Sequence, residues 1–225
     1  MGGHDEQDPN NKLIPFDSSR AGGARRQGAG SGALGSSHPA DHPRGDLHAD
    51  AVEQQGAVGH RPGRLTFVET SALLAWLLGE AAAPQVELWI DDAESVCCSE
   101  LTFLEGHRAL ARLRVQGAPE TELQRAARVM EGLRREWFVA SVSHPVLLLA
   151  SEPFLVEHIR SLDAIHVATA RILDDSLAEG LRLLALDARV RLNGIAYGFE
   201  VVPPPTQEER EEAARRLRVV EPRLW

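Results

Sequence analysis

The chain has 225 residues and a formal net charge of −9, from 24 basic and 33 acidic side chains. This length suits one or two domains, and the negative charge gives no basic footprint for general nucleic-acid binding. No stretch approaches the roughly 20 consecutive apolar residues of a membrane span, and the N-terminus lacks the pattern of a signal peptide. We therefore expect a soluble cytoplasmic protein. The adjacent Cys97 and Cys98 lack zinc-site spacing and are expected to be buried, reduced thiols.

The composition of the chain changes near residue 64. Residues 1–64 hold most of the 19 glycines, with many Pro, Ser and Asp residues and no helical or strand periodicity. Such a segment cannot bury enough apolar surface to offset its ordering entropy. We predict a disordered tail over residues 1–64, a globular domain over residues 65–202, and a C-terminal segment over residues 203–225 that begins with three prolines.

The first half of the globular part alternates short apolar runs with helix-patterned segments. It predicts strands at residues 65–69 and 95–98, and helices at residues 72–78, 85–92, 99–116 and 119–137. Ser71 is the predicted N-cap of the first helix, and Ser99 that of the third. In the third helix the expected apolar face consists of Leu101, Leu104, Ala109 and Leu113.

The second half continues the alternation. It predicts strands at residues 138–142, 181–186 and 199–202, and helices at residues 144–151, 161–173, 188–196 and 207–217. The last helix begins with the capping box Thr206-x-x-Glu209. Strands that alternate with helices in this way predict a parallel α/β sandwich.

Four acidic residues lie where such a sheet would bring them together. Glu69 and Asp187 each end an apolar strand, Glu105 lies in the helix after the second strand, and Asp163 lies near the start of the helix at 161–173. Open parallel sheets bind ligands outside the carboxyl ends of their strands. Carboxylates gathered there would repel each other without a cation, and Mg²⁺ and Mn²⁺ prefer oxygen ligands. Metals held in this way most often act on phosphate esters.

Two of these acids also have simpler interpretations. Asp163 lies in the first turn of a helix that Ser161 can cap, where the helix dipole favours a carboxylate. His166 shares the helical face of Asp163, and a packed or hydrogen-bonding histidine is a better interpretation than a metal ligand. Glu105 is spaced to form a local ion pair with Arg108.

The polar residues beside the acids also have two interpretations. Thr70 and Ser71 follow Glu69 at a strand-to-helix turn, where they can cap the helix, contact a phosphate or position a water. Arg189 and Arg191 follow Asp187 and can either meet a nucleic-acid backbone or form a solvated helix face.

Taken together, these segments resemble the PIN domain, and within it the VapC-type toxin ribonucleases of bacterial toxin–antitoxin pairs. The family's first strand ends in Asp-Thr-Ser-Ala-Leu, which corresponds to Glu69-Thr-Ser-Ala-Leu here. A Glu in the helix after the second strand matches Glu105, and the family's Leu-Asp-Ala-hydrophobic-His stretch matches residues 162–166. A strand that ends in Asp before a basic residue matches Asp187 and Arg189.

The resemblance covers residues 65–202 and implies a three-layer α/β/α fold around a central parallel sheet. It implies cleavage of RNA that depends on Mg²⁺ or Mn²⁺, a homodimer, and a small antitoxin that masks the site. The catalytic and metal-binding residues would be Glu69, Glu105, Asp163 and Asp187. Residues that contact the substrate would be Thr70, Ser71 and Arg189.

The chain departs from the family pattern at two places. Glu69 stands where the family has Asp, and its extra methylene displaces the carboxylate on the scale to which metal-assisted chemistry is sensitive. This departure keeps open the alternative of a catalytically weakened or inactive PIN domain that binds RNA or protein. The second departure is the tail, which the usual compact toxin lacks.

Two other classes of protein fit less well. A receiver-type signalling domain would need a Lys beside its phosphorylated Asp, and Lys12 is the only lysine in the chain. A haloacid-dehalogenase-type phosphatase would need Asp-x-Asp after its first strand, where this chain has Glu-Thr-Ser.

Overall fold

The computed structural model describes residues 65–176 and 180–217. The elements in this part of the chain are β1 (Leu65–Val68), α1 (Thr70–Leu78), α2 (Ala83–Asp91), β2 (Ser95–Ser99), α3 (Glu100–Val115), α4 (Glu120–Glu136), β3 (Phe138–Ala140), α5 (His144–Ser151), α6 (Ser161–Asp175), β4 (Arg182–Leu184), α7 (Ala188–Ala196), β5 (Glu200–Val202) and α8 (Gln207–Leu217). The predicted alternation of strands and helices is confirmed. The tail predicted to be disordered lies outside the described residues. None of the described helices has the length and apolar character needed to cross a membrane.

The five strands form one parallel sheet in the order β3-β2-β1-β4-β5. The chain builds outward from β1 through β2 to β3, then returns to the other side of β1 to lay down β4 and β5. The order therefore reverses between β1 and β4, and open α/β sheets bind their ligands in the crevice at such a point. Glu69 directly follows β1 and Asp187 follows β4, so both acids lie at this crevice.

Helices cover both faces of the sheet, which gives the predicted three-layer α/β/α fold. Successive strand residues point to opposite faces, and the strands divide their apolar residues accordingly. Val68 and Leu184 pack in a cluster with Leu73, Trp76 and Met130 on one face. Their strand neighbours pack in a second cluster on the other face, with residues of α6 and α7: Phe67, Leu183, Val167, Ala170 and Val190. Both faces are buried, as expected for a parallel sheet.

Two of the predicted helix starts are confirmed and two are wrong. The Ser99 hydroxyl caps α3 by accepting from Leu101 N at 3.2 Å. The capping box of α8 is present, because Glu209 N donates to Thr206 Oγ1 and Thr206 N donates to the Glu209 carboxylate. Ser71 does not cap α1; it lies inside the first turn, and Glu69 is the N-cap.

The start of α6 also differs from the prediction. Arg160 occupies its N-cap position, no side chain caps it, and Ser161 is the first helical residue. Asp163 nevertheless lies in the first turn, as predicted.

The apolar face predicted for α3 is partly wrong. Leu104 was expected in the core, yet it is 60% exposed. The buried stripe of α3 runs instead through Phe103, Gly106 and Leu110, at helical spacing, and Leu104 lies to one side of it. This stripe turns the neighbouring Glu105 toward the carboxyl edge of the sheet, where it meets Thr70.

Gly194 allows helix α7 to lie close to the sheet. A Cβ atom at this position would lie 2.6 Å from Leu183 Cδ2 and 2.9 Å from Val201 Cγ2, so a side chain could not be accommodated without displacement. The close approach fixes the helix whose first turn Asp187 caps.

Candidate functional site

Each of the two strands at the crevice is followed by a carboxylate that caps the next helix. Glu69 has extended backbone, and its Oε2 accepts from Ser71 N at 2.9 Å. Asp187 has the same role at α7, where its Oδ1 accepts from Arg189 N at 2.8 Å and from Val190 N at 3.3 Å. The helix dipoles favour negative charge at both positions. The chain therefore places the two carboxylates after neighbouring strands, at the switch point of the sheet.

The Ser71 hydroxyl connects these two strand ends. It donates to Glu69 Oε2 and accepts from the backbone N–H groups of Leu186 and Asp187, each at 2.9 Å. A serine hydroxyl has one hydrogen to donate and two lone pairs, so Ser71 is fully used. Its role in this arrangement is to hold Glu69 against the segment that carries Asp187.

Glu69 is a buried carboxylate, only 4% exposed. Burial raises the pKa of the Glu69 carboxyl above its ordinary value, and the neighbouring Glu105 adds to this effect. His166 and the hydrogen bonds from Ser71 offset only part of the increase. The negative charge of Glu69 is therefore not fully compensated by the surrounding protein.

Glu105 is held by contacts from two distant segments. Thr70 Oγ1 donates to Glu105 Oε2 at 2.6 Å, and His166 Nε2 lies 2.8 Å from the same oxygen. Partial burial by itself would raise the pKa of Glu105, but the hydrogen bonds from His166 and Thr70 outweigh it and lower the pKa. The spacing of Glu105 and Arg108 allowed a local ion pair, but Glu105 instead contacts Thr70 and His166, which lie across the site.

His166 is buried and acts as a hydrogen-bond donor to Glu105. Its Nε2 must carry a proton, because an ionised carboxylate only accepts hydrogen bonds, and Thr70 Oγ1 lies 3.0 Å from the same nitrogen. Its Nδ1 is buried and has no hydrogen-bond partner among the described residues.

One atom from each of His166, Glu69 and Glu105 lies within 4.8 Å of the other two, a spacing that could suit a metal ion. Coordination by Nε2 would transfer the proton to Nδ1 and leave a buried N–H without an acceptor, which costs about 1–3 kcal/mol. Histidine ligands normally donate the second N–H to an acceptor. The sequence-based interpretation of His166 as a hydrogen-bonding residue agrees with this geometry.

Asp163 lies near Asp187 rather than in the group of Glu69, Glu105 and His166. Burial raises the pKa of the Asp163 carboxyl, and the charge of Asp187 raises it further. Arg160 and Arg189 partly offset these effects. Asp163 Oδ2 is buried and has no hydrogen-bond partner within the described ranges. The structure thus links Glu69 with Glu105 and Asp163 with Asp187, and Ser71 connects the two pairs.

Of the two arginines that follow Asp187, Arg189 is partly exposed and Arg191 is buried. Arg189 is 42% exposed, and its Nη1 lies 3.8 Å from Asp187 Oδ2. Arg191, which the sequence allowed to meet a nucleic-acid backbone, is buried in an ion pair with Glu209 and cannot do so. The exposed Arg160 was missed, although its position directly before the helix of Asp163 could have identified it.

The four acids have the ligand chemistry that a hard divalent cation prefers. Each can supply a carboxylate oxygen, which Mg²⁺ and Mn²⁺ prefer. Asp163 Oδ2 has no partner among the described residues, and the pKa values of Glu69 and Asp163 are raised, so the described residues compensate the negative charge of these two acids only in part. A cation bound among these carboxylates would supply the missing charge.

The fold and the acids at the carboxyl edge of the sheet define an α/β/α protein with an acidic centre at the switch point of a parallel sheet. The model of the PIN domain family matches residues 66–191, more than half of the chain, and the protein belongs to this family. No curated protein gives a significant sequence match.

Two solved structures are similar in part. A VapBC2 complex from Rickettsia felis, bound to a DNA fragment from its promoter, matches with 10% identity and a TM-score of 0.39, over 56% of this chain and 89% of that one. PAE2754 from Pyrobaculum aerophilum matches with 20% identity and a TM-score of 0.44, over 74% of this chain and 96% of that one.

Proposed function

We propose that this protein is a metal-dependent endoribonuclease that hydrolyses phosphodiester bonds in RNA. The observation that carries the proposal is the buried, unpartnered Oδ2 of Asp163, in a PIN domain, beside the charge of Asp187. Burying a carboxylate oxygen without a hydrogen bond costs free energy unless another group or ion binds it. A divalent cation is the simplest such partner.

Glu69, Glu105, Asp163 and Asp187 would hold Mg²⁺ or Mn²⁺, either directly or through water. When bound, such a cation polarises a phosphate and lowers the pKa of a coordinated water. The protein's own contribution is to fix the carboxylates. Ser71 holds Glu69, and Thr70 and His166 hold one oxygen of Glu105, which leaves its other oxygen free for the cation.

The hydroxyls of Thr70 and Ser71 were predicted to contact the substrate, but both are committed to protein partners. The Ser71 hydroxyl has no free donor or acceptor, because all of its hydrogen bonds go to protein groups. The Thr70 hydroxyl donates its only hydrogen to Glu105. We propose instead that they position the acids. The RNA backbone would then be contacted by Arg189 and Arg160, which flank Asp163 and retain exposed side chains.

We propose further that the protein is the toxin of a type II toxin–antitoxin pair, that it acts in the cytoplasm as a homodimer, and that residues 65–202 form its catalytic unit. The motifs shared with VapC-type toxins support this proposal. A cognate small antitoxin would cover the site. Exposed leucines on α5 and α6 provide an apolar surface for a protein partner; they are Leu147, Leu148 and Leu162.

The proposal is tested by incubating the full chain with pooled structured RNA and Mn²⁺ or Mg²⁺, with EDTA as a control. Asp163→Asn should abolish cleavage while circular dichroism shows an intact fold. The matched control is Asp175→Asn, because Asp175 lies exposed on the same helix, and this variant should cleave like the parent. Cleavage that survives in Asp163→Asn or in EDTA would refute the proposed site.

Glu69 favours one alternative, a PIN domain that binds RNA or protein without cutting. Its longer side chain is buried and its pKa is raised, which weakens it as an ionised ligand. Glu69→Asp distinguishes the two functions. A large gain in cleavage would identify a weakened enzyme, whereas a folded variant that binds Mn²⁺ and still cuts nothing would favour the binding function.

A further inference from the structure

Arg191 makes the most extensive set of side-chain hydrogen bonds near the site. It lies on α7, is 7% exposed, and uses its guanidinium in four contacts. Nε and Nη2 donate to the two oxygens of Glu209, at 2.5 and 3.0 Å. Nη1 donates to the carbonyl of Ala185 at 2.9 Å, and Nη2 also donates to the carbonyl of Pro203 at 3.0 Å. A planar guanidinium suits such a two-pronged carboxylate contact.

Glu209 is itself fixed by the start of α8. Its Oε2 accepts from Thr206 N at 2.8 Å, in the capping box. The hydrogen bonds from Arg191, together with those from Thr206, lower the pKa of Glu209 to about 2. Glu209 therefore joins α8 to the core through a charged residue that is buried on α7.

The same contacts reach the segment that carries Asp187. The carbonyl of Ala185 accepts from Arg191, and the next two residues, Leu186 and Asp187, donate their N–H groups to Ser71. Arg191 N also donates to the Asp187 carbonyl at 3.0 Å. The segment is thus held from one side by Ser71 and from the other by the guanidinium of Arg191.

We propose that Glu209 is a positioning residue for the metal centre: through Arg191 it fixes the backbone that carries Asp187. This inference rests on the proposed role of Asp187 in cation binding. The match to the PIN domain ends at residue 191, so the contact would make α8, which lies beyond the match, part of the catalytic architecture. Without Glu209, the buried charge of Arg191 would lose its counter-charge, and the guanidinium would no longer be oriented toward Ala185.

The test compares Glu209→Gln with Glu212→Gln in the full chain. Glu212 lies on the same helix, and its ion pairs with Arg215 and Arg216 involve more exposed side chains. The probe is Mn²⁺ binding followed by titration calorimetry, with amide hydrogen exchange at Leu186 and Asp187 as a second readout. Glu209→Gln should weaken Mn²⁺ binding about tenfold, the low end of the effect of residues that orient metal ligands, and accelerate both amides. Glu212→Gln should change neither.

Equal Mn²⁺ affinity in the two variants, at temperatures where both are folded, would overturn the inference. Helix α8 would then contribute only packing contacts to the fold. If Glu209→Gln fails to fold, Glu209→Asp replaces it, because this variant keeps the charge on a shorter side chain. It should also weaken Mn²⁺ binding and accelerate exchange of the Leu186 and Asp187 amides, and no change in either would overturn the inference. A parent protein that binds Mn²⁺ but cuts no RNA would refute the nuclease while the binding comparison still decides the role of Glu209. A parent that binds no Mn²⁺ would overturn both proposals.

Discussion

The hydroxyl of Ser71 accepts a hydrogen bond from the backbone N–H of Asp187, at 2.9 Å. This bond joins the first turn after β1 to the residue that caps α7, across the point where the strand order reverses. Because the same hydroxyl donates to Glu69, one side chain sets the separation between two of the four acids. The geometry of the centre therefore depends on a residue that has no free group with which to contact a ligand.

Ser71→Ala should destabilise the fold by about 1–3 kcal/mol, because it leaves partly buried N–H groups of Leu186 and Asp187 without their acceptor. Urea unfolding measures this change. Ser151→Ala is the control, since its hydroxyl makes a single exposed bond to Leu147 O at 2.8 Å; it should change stability by less than about 0.5 kcal/mol. Equal stabilities of the two variants would contradict the bridging role.

Asp163→Asn should leave the metal-free protein at least as thermally stable as the parent. Burial and the charge of Asp187 raise the pKa of Asp163. The substitution therefore removes a repulsion that Arg160 and Arg189 offset only in part in the metal-free protein. Thermal unfolding with and without Mn²⁺ tests this prediction. Mn²⁺ should raise the unfolding midpoint of the parent, by mass action, and not that of the variant. A rise in the variant would show that Asp163 is dispensable for binding.

His166→Leu and His166→Gln should differ in Mn²⁺ affinity. Leucine cannot donate a hydrogen bond to Glu105, and we expect about tenfold weaker binding. Glutamine can place an amide N–H toward the Glu105 carboxylate and should retain most of the affinity. If the imidazole were itself a metal ligand, both variants would lose binding to a similar extent, and the calorimetric titrations would not separate them.

Metal binding should strengthen as the pH rises through the raised pKa values of Glu69 and Asp163, which lie above their ordinary values of 4.5 and 3.8. Below those values a cation must displace protons before it binds. The metal-free protein should behave in the opposite way. Above pH 4.5, Glu69 and Asp163 hold more protons in the folded state than in the unfolded chain, so their contribution to stability falls as the pH rises.

Both trends can be measured by Mn²⁺ titration and urea unfolding at a series of pH values. Glu69→Gln should flatten the pH dependence of stability, because the buried side chain no longer titrates. If the free energy of unfolding of the parent depends on pH no more than that of Glu69→Gln, Glu69 is ionised throughout the range.

Local patterns predicted the fold well and the contacts within the site less well. Periodicity gave the helix His144–Ser151 and the helix Ala188–Ala196 with the bounds that the structure has. It could not show that Leu104 lies outside the buried stripe of α3, since that depends on where α4 packs. The cap of α1 was missed because Glu69 is a less common N-cap than the serine two residues later.

The partners of Glu105 show the same limit. Thr70 lies 35 residues away in sequence and His166 lies 61 away, so no local spacing could indicate them. The ion pair of Arg191 with Glu209, 18 residues apart, depends on how the chain turns after β5. Residue type identified the acids, whereas their hydrogen bonds follow only from the tertiary fold.

The strand order also sets a sequence of events during synthesis. β4 is made after β1, β2 and β3, yet it must insert beside β1 to bring Asp187 to Glu69. A growing chain therefore lacks the complete set of four carboxylates until Asp187 has left the ribosome, and Glu209 emerges later still. If the proposed cleavage of RNA needs all four acids, a nascent chain that still lacks Asp187 would not cut the RNA around it. The strand topology thus delays the assembly of the four acids until β4 and Asp187 have been synthesised.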